Sequence, residues 1–160
     1  MRGLHGADAH ARERKQSEIN TRFQQGVAML QLKQYEHAIT AFHRVLALDP
    51  LLPEAHVNMG FAFYGQGDFV GAERFFRGAL SLSPKQYNAH YGIAIARQAL
   101  GDLTEARDEL VAYVSSLKDG DPYVDAAKQR LQEIEIALRS KTTPQPSLGK
   151  NSGEPDRALQ

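Results

Sequence analysis

The feature that most constrains this chain is an internal repeat with a period of 34 residues. The copies span residues 19–52, 53–86 and 87–120, and small, aromatic and helix-ending residues coincide when they are aligned. A period of this length is typical of stacked helical units, each of which buries one face against the next. The repeat therefore predicts a stack whose function lies on its surface, rather than a closed globule with a catalytic cleft.

Within each copy, apolar residues recur at helical spacing in two runs separated by a turn. The runs predict six helices, at residues 17–32, 35–48, 54–64, 69–82, 88–100 and 103–117. Gly67-Asp68 separates the two runs of the second copy, and the third copy has the same dipeptide in the same place. Glycine can end a helix in left-handed backbone and aspartate can cap the next helix. The first copy has Lys33-Gln34 there, which is a weaker turn signal.

The segments that flank the repeats differ from them in composition. Residues 121–139 predict a seventh helix, with Asp121 as its N-cap, Pro122 in its first turn and one apolar stripe. We interpret it as a cap, since the last unit of a repeat stack otherwise exposes an apolar flank. Residues 1–15 are polar and predict a flexible segment, while residues 140–160 combine prolines with polar residues and predict a disordered tail.

Charge and cysteine content argue against several classes of function. The 19 basic residues balance the 19 acidic ones, so no net field draws the chain toward nucleic acid or an anionic membrane. The absence of cysteine excludes disulfides, thiol catalysis and thiolate metal sites. No apolar run approaches the roughly 20 residues of a membrane span, and the polar N-terminus lacks a secretory signal. We expect a soluble, cytoplasmic protein without membrane insertion; an exported location stays open for a form from which a signal has been removed.

No set of residues indicates catalysis or metal binding. Of the six histidines, only His56 and His90 occupy equivalent positions in adjacent repeats, and no further ligands accompany them. We interpret both as packing residues. No P-loop, EF-hand or HExxH motif occurs, and no Ser or Thr has a plausible base beside it. The sequence predicts a non-enzymatic protein with no cofactor and no metal.

The second copy resembles the tetratricopeptide repeat. That family places small, aromatic, alanine and proline residues at fixed positions, which here are Gly60, Phe63, Ala72, Phe76, Ala79 and Pro84. The first copy is similar, and the third departs from the pattern at Arg97, Leu110, Tyr113 and Lys118. The resemblance covers about residues 17–139. It implies an all-α, right-handed superhelical α-solenoid of three helix-turn-helix units with about seven helices.

The repeats contain two sets of residues with different expected roles. One set should let helices pack closely, namely Gly26, Ala38, Phe42, Gly60, Ala72, Phe76, Ala94 and Ala106. The other projects from the opposite side of the first helices, namely Phe23, Gln24, Val27, Leu30, Val57, Asn58, Phe61, Tyr64, Tyr91, Ile95 and Gln98. In the resembled family, first helices line a concave face that binds a partner's peptide. We therefore expect the second set to form a mostly apolar peptide-binding groove.

Several uses of this groove stay open. It could bind a protein or peptide partner, as an adaptor or scaffold in a multiprotein complex, or join copies into a homo-oligomer. It could also be covered by the N-terminal segment or the last helix of the same chain. The architecture is also similar to the translocator chaperones of bacterial secretion systems, which makes a dedicated chaperone an alternative.

Two further expectations concern charge. The family's clamp for a chaperone tail is not expected, because its positions carry no cation here; they are Phe23, Val27, Asn58, Asn88 and Gly92. The charged residues of the second helices, among them Glu73, Arg77 and Glu109, are expected on the solvated convex side.

Overall fold

The structure is a computed structural model that describes residues 3–142, with side chains from residue 6 onward. It consists of α1 (Gly3–Gln31), α2 (Tyr35–Leu48), α3 (Pro53–Gly65), α4 (Phe69–Leu82), α5 (Tyr87–Leu100), α6 (Leu103–Ser116) and α7 (Val124–Thr142). No strand occurs in this range. The predicted all-α stack of seven helices is confirmed. Residues 140–142 of the predicted disordered tail belong to α7, and the tail from residue 143 onward lies outside the described residues.

The contacts between helices show which side of the stack is concave. Each helix packs against the next along the chain, and in addition α1 contacts α3 and α3 contacts α5. The second helices of the repeats, α2, α4 and α6, make no such contacts with one another in the described range. The first helices are therefore closer together than the second helices, which puts α1, α3 and α5 on the inner, concave face.

Glycine on a first helix permits close packing of each of the first two repeats. A Cβ atom on Gly26 would lie 2.7 Å from the ring of Phe42, and one on Gly60 would lie 2.6 Å from the ring of Phe76. Both rings are fully buried. In the third repeat Ala94 faces the shorter Leu110 instead, and both are fully buried in one cluster. Ala38, Ala72 and Ala106 are buried at the equivalent position of each second helix.

Tight turns join the helices within each repeat. Gly67 and Gly101 adopt φ of +82° and +86°, and the following aspartates cap α4 and α6. The Asp68 carboxylate accepts a hydrogen bond from the Gly71 amide at 2.8 Å. In the first repeat the left-handed residue is Lys33, with φ of 57°, and Gln34 provides no side-chain cap for α2.

Helix α1 is longer than the sequence predicts. It begins at Gly3 rather than near residue 17, so the predicted start of the first helix is wrong, and residues 3–15 of the segment predicted to be flexible belong to α1. The segment has no apolar periodicity, but its Ala, Arg and Glu residues propagate a helix that packing nucleates further along. Residues 6–18 are all exposed, and Ile19 is the first buried residue. This extension therefore projects from the stack and does not cover the concave face.

Helix α7 packs against α6 and closes the stack. Ala127 and Ile134 bury one face of α7 in the cluster around Leu110, while Lys128, Gln129, Gln132 and Glu133 are exposed. The helix begins three residues later than predicted, because Asp121 accepts a hydrogen bond from the Tyr123 amide in a turn before the helix. One polar side and one apolar side are what a capping helix requires.

A cluster of charged side chains joins α4, α5 and α6. Glu73 is only 8% exposed and accepts hydrogen bonds from Arg77 and Arg97, each at 2.6 Å. Arg77 also contacts Glu105, and Arg97 Nε lies 2.9 Å from that carboxylate in an ion contact without hydrogen-bond geometry. The expectation that Glu73 is solvated on the convex side is therefore wrong, because the third repeat supplies an arginine that holds it between the helices.

Candidate functional site: the concave face

The groove residues predicted from the sequence divide by accessibility. Gln24 is exposed, and the half-buried members are Phe23, Val27, Leu30, Asn58, Phe61, Tyr64, Tyr91 and Gln98. Val57 and Ile95 are only 5% and 7% exposed, so their assignment to the groove surface is corrected. Val57 packs in the cluster that surrounds Phe76. Ile95 lies on α5, which contacts α3, α4 and α6 and has little free surface left.

Two aromatic side chains of the concave face rest on the buried phenylalanines of the stack. Phe23 meets Phe42 edge to face with ring centroids 5.7 Å apart, and Phe61 meets Phe76 in the same way at 4.9 Å. Such arrangements are favourable for aromatic rings and restrict their rotation. The groove therefore presents rings that are held in place before any ligand arrives.

A cavity of about 310 Å³, which we call the tyrosine cavity, lies where α5, α6 and α7 meet the concave face. It is lined by Phe61, Asn88, Tyr91, Tyr113, Tyr123, Ala126 and Ala127. The rings of Tyr91 and Tyr113 lie 5.3 Å apart at an angle of 48°. Arg130 of α7 lies over the Tyr91 ring, 5.8 Å from its centroid, and donates a 2.7 Å hydrogen bond to Gln98. Helix α7 thus forms a side wall of the groove.

A second cavity, of about 230 Å³, lies at the other end of the face. We call it the N-terminal cavity, and its lining consists of Gln16, Ile19, Asn20, Phe23, Gln24, Asp49, Leu52 and Glu54. Carboxamides and two carboxylates surround an apolar floor. Glu54 also accepts a 3.1 Å hydrogen bond from Gln86, which links the starts of α3 and α5.

Several residues of these cavities are absent from the sequence prediction. Asn20, Glu54 and Asn88 occupy the same position, one helical turn before the predicted set, and the helical period could have identified them. Tyr113 stands on a second helix where the repeat pattern has alanine, a departure that marks a bulky ring in a place reserved for a small residue. Tyr123 and Ala126 reach the cavity because α7, and the turn that precedes it, pack beside α6.

None of the chaperone-tail clamp positions carries a cation, and two of them are restricted by their surroundings. A Cβ atom on Gly92 would lie 2.4 Å from the ring of Phe76, so this position has no room for a longer side chain. Asn58 donates a 2.8 Å hydrogen bond to the carbonyl of Glu54 in its own helix, which leaves mainly its amide oxygen for a ligand. Asn58 therefore presents mainly an acceptor to the groove.

His56 and His90 each have a partner within the protein, His56 across the boundary between the first two repeats and His90 within the third. His56 Nε2 lies 3.0 Å from the carbonyl oxygen of Pro50, and its ring packs 6.1 Å from that of Phe75. His90 Nδ1 lies 2.6 Å from the Glu109 carboxylate. Over residues 3–142 no group of three or more His, Cys, Asp or Glu side chains is arranged to hold a metal ion. In the same range, every helix is too short or too polar to cross a membrane.

Comparison with known sequences places two family models on the repeats. One, described as tetratricopeptide repeat, matches residues 63–131, and the other, described as TPR repeat, matches residues 26–67. Tetratricopeptide repeat protein 37 of Xenopus laevis is 29% identical over 103 residues. That match covers 64% of this chain and 6% of the relative, so the chain spans a small part of that protein's length.

Solved structures of other proteins have the same fold. The Sgt2 TPR domain of Aspergillus fumigatus aligns with a TM-score of 0.72 and 21% identity, over 89% of this chain and 91% of that domain. The first TPR domain of Spaghetti (RPAP3), bound to the HSP90 peptide SRMEEVD, gives 0.69 and 22% over 77% and 94%. The Yersinia enterocolitica type III secretion chaperone SycD, with a peptide of the translocator YopD, gives 0.68 and 17% over 78% and 94%. At these identities the likeness is one of fold.

Proposed function

The chain belongs to the tetratricopeptide repeat family, and we propose that it is a non-enzymatic adaptor whose concave face binds an apolar peptide segment of a partner protein. Its role would be to hold that partner in a multiprotein assembly. No chemistry is required of the face beyond shape, apolar surface and a few polar groups that orient the peptide.

The observation that carries the proposal is a row of half-exposed rings between two cavities on the concave face. Phe23, Phe61, Tyr64 and Tyr91 stand along this row, and Phe23 and Phe61 are each held edge to face by a buried ring. Apolar patches on a groove commonly mark interaction sites. Rings that are already fixed lose little conformational freedom when a partner binds, which favours affinity.

The arrangement of the chain's own ends bears on the self-covered alternative. The α1 extension is exposed along its length from residue 6, and α7 stands at the side of the groove rather than over it. From α7, Arg130 reaches Tyr91 and Gln98, and Ala126 and Ala127 line one wall of the tyrosine cavity. These contacts leave the Phe23 and Phe61 rings accessible, which supports an external occupant.

The neighbouring structures support a peptide ligand but point to different chemistries. The Spaghetti domain binds an HSP90 peptide with acidic residues near its end, and SycD binds a peptide of a translocator protein. This chain has no cation among the residues that line either cavity. An acidic tail would therefore lack a partner here, and an apolar segment is the better fit.

Affinity capture with the full chain tests the proposal. Truncating Phe61 or Tyr91 to Ala removes a central aromatic anchor, and we expect each variant to lose about 1–2 kcal/mol of binding to a captured partner. The matched control is Val70→Ala on α4, where a 57% exposed apolar side chain is shortened away from the concave face. Circular dichroism checks that each variant is folded. Unchanged affinity in both aromatic variants would instead favour a self-covered groove.

A dedicated chaperone is the second candidate, favoured by the similarity in fold to SycD in its peptide complex. A chaperone would make an aggregation-prone partner soluble when the two are co-expressed, whereas an adaptor would join proteins that are already soluble alone. A homo-oligomer is distinguished from both by a molar mass in solution that rises with concentration.

A further inference from the structure

The tyrosine cavity has the composition of a site for a positively charged side chain. Four of its lining residues are aromatic, namely Phe61, Tyr91, Tyr113 and Tyr123. The faces of aromatic rings carry partial negative charge and attract ammonium and guanidinium groups, most strongly where water is excluded. The Tyr91 ring already has one such contact, with Arg130.

One phenol of this cavity has a solvent-accessible hydroxyl group without a partner among the described residues. Tyr113 is 5% exposed, and its hydroxyl makes no hydrogen bond within the described part of the chain. Burial raises the pKa of this hydroxyl above its usual value, and the nearby Asp121 carboxylate and the phenols of Tyr91 and Tyr123 raise it further. An N–H donor on a ligand would supply the missing partner, since a phenolic oxygen accepts hydrogen bonds.

The charges around the groove favour a cation over an anion. Asp121 lies near the phenols of the tyrosine cavity, and Asp49 and Glu54 line the N-terminal cavity. No lysine or arginine lines either cavity, and Arg130, which stands beside the first, is engaged by Gln98. An incoming cation therefore meets one carboxylate at the cavity, with a single flanking arginine opposing it.

We propose that the tyrosine cavity receives a lysine or arginine side chain of the bound segment, and that the ligand is therefore an apolar segment with a basic residue. This inference rests on the proposed function, because it names the chemistry of the peptide that the same face binds. The aliphatic stem of the side chain would lie along Ala126 and Ala127, with its charged end among the phenols near Asp121.

Three small probes test the proposal without knowledge of the partner. N-acetyl-lysine methylamide, its neutral norleucine analogue and its glutamate analogue are titrated into the ¹⁵N-labelled full chain, and chemical-shift changes are followed at Asn88, Tyr91, Tyr113 and Ala126. We expect the lysine probe to bind at least about threefold more tightly than the norleucine probe, and the glutamate probe to bind most weakly. Equal or tighter binding of norleucine, or no saturable shift with lysine, would overturn the inference.

Two charge variants with opposite expected effects provide the control. Asp121→Asn keeps a side chain that can cap the Tyr123 amide but removes the negative charge, and we expect lysine affinity to fall about two- to fivefold with norleucine affinity unchanged. Arg130→Gln removes the flanking positive charge and should strengthen lysine binding. Opposite signs, or no effect of either variant on lysine binding, would contradict a cationic occupant.

The outcomes for this inference and for the proposed function are separable. If the lysine preference fails while Phe61→Ala and Tyr91→Ala still lose captured partners, the groove binds peptide but the cavity takes a neutral side chain. If the lysine probe binds while capture is unaffected by those variants, the cavity exists but the groove is not the peptide site.

Discussion

The two junctions between successive repeats use the same backbone frame and different chemistry. At the first junction, Ile39 of α2 and Phe63 of α3 both pack against the apolar cluster around Met59. At the second junction, the equivalent positions carry Glu73 of α4 and Arg97 of α5, which form a 2.6 Å hydrogen-bonded ion pair. An apolar contact at one junction is thus replaced by a nearly buried charged one at the next.

This difference shows that the stack does not depend on which pair occupies the junction. The small residues and the large buried side chains beneath, Phe42, Phe76 and Leu110, recur in all three repeats and set how closely the helices approach. The junction pair then determines how each interface responds to conditions. Apolar packing is nearly indifferent to salt and pH, whereas a charged cluster must stay ionised to contribute.

The largest effect is expected at Phe75 of the second repeat, which packs on Phe63 of the apolar junction. Phe75 stacks on Phe63 with ring centroids 5.1 Å apart and also contacts His56. Because Phe75 is half-buried, we expect Phe75→Ala to lower the free energy of unfolding by about 2–3 kcal/mol, below the range for fully buried phenylalanines. The equivalent residue of the third repeat is Glu109, which pairs with His90; Glu109→Ala should cost about 1 kcal/mol or less. Urea denaturation measures both losses. Equal losses of unfolding free energy in the two variants would contradict the expectation that the apolar contact contributes more than the charged one.

The charged junction can be converted into the apolar one. Arg97→Phe leaves the buried Glu73 with only Arg77 as a cation, and we expect a loss of about 1–2 kcal/mol, since one ion pair remains and Arg97 is 29% exposed. Adding Glu73→Ile copies the Ile39 and Phe63 pair of the first junction. The double variant should recover most of the loss, because replacing a buried ion pair by apolar residues is often neutral. A double variant less stable than Arg97→Phe alone would show that the charged pair is required by its surroundings.

The charged junction should also show a pH dependence that the apolar one lacks. Burial alone would raise the pKa of Glu73, but hydrogen bonds and charges from Arg77 and Arg97 outweigh it and lower the pKa below its ordinary value of 4.5. The folded-state pKa is thus below the unfolded one. The resulting stabilisation is present above pH 4.5 and is lost as the pH falls through the folded-state pKa.

Glu73→Gln tests this dependence, because glutamine keeps the shape without the charge. The difference in unfolding free energy between the parent chain and the variant should shrink as the pH is lowered below 4.5. Phe75→Ala provides the control, since its loss should be nearly constant across the same range. A difference for Glu73→Gln that stays constant or grows toward acid pH would contradict the assigned direction of the pKa shift.

The sequence predicts the order and packing of the helices better than it predicts the surfaces. Helix order follows from small residues such as Gly60 and Ala72, because close packing restricts which side chains fit and the restriction recurs with the period. The polar start of α1 has no such restriction, so its pattern resembles a flexible segment although its residues are good helix formers. The sequence therefore predicts the packing positions, which the repeat constrains, and not the polar start of α1, which it does not.

The candidate site shows the same division. Phe61 and Tyr91 are predicted to face the groove because helical geometry alone gives their direction. The burial of Ile95 and the exposure of the Tyr113 ring to a cavity depend on how neighbouring helices pack, and no single-helix pattern contains that information. The departures of the third repeat from the family pattern at Arg97 and Tyr113 are visible in the sequence. The ion pair that Arg97 forms depends on Glu73 lying beside it, and the cavity wall that Tyr113 forms depends on α7.

The smallest effect concerns the turns inside the repeats, where the first repeat again differs from the others. Lys33 adopts φ of 57° at the position where Gly67 and Gly101 have φ of +82° and +86°. A left-handed backbone costs a residue with a Cβ atom about 1–2 kcal/mol, and part of the gain from glycine is offset by its freedom in the unfolded chain. We expect Lys33→Gly to raise the free energy of unfolding by about 0.5–1 kcal/mol. Lys33→Ala removes the same charge and side chain but keeps the strain, so it should give no gain in the same urea titration. If alanine stabilises the chain as much as glycine does, the lysine side chain and not the backbone is what distinguishes the first turn.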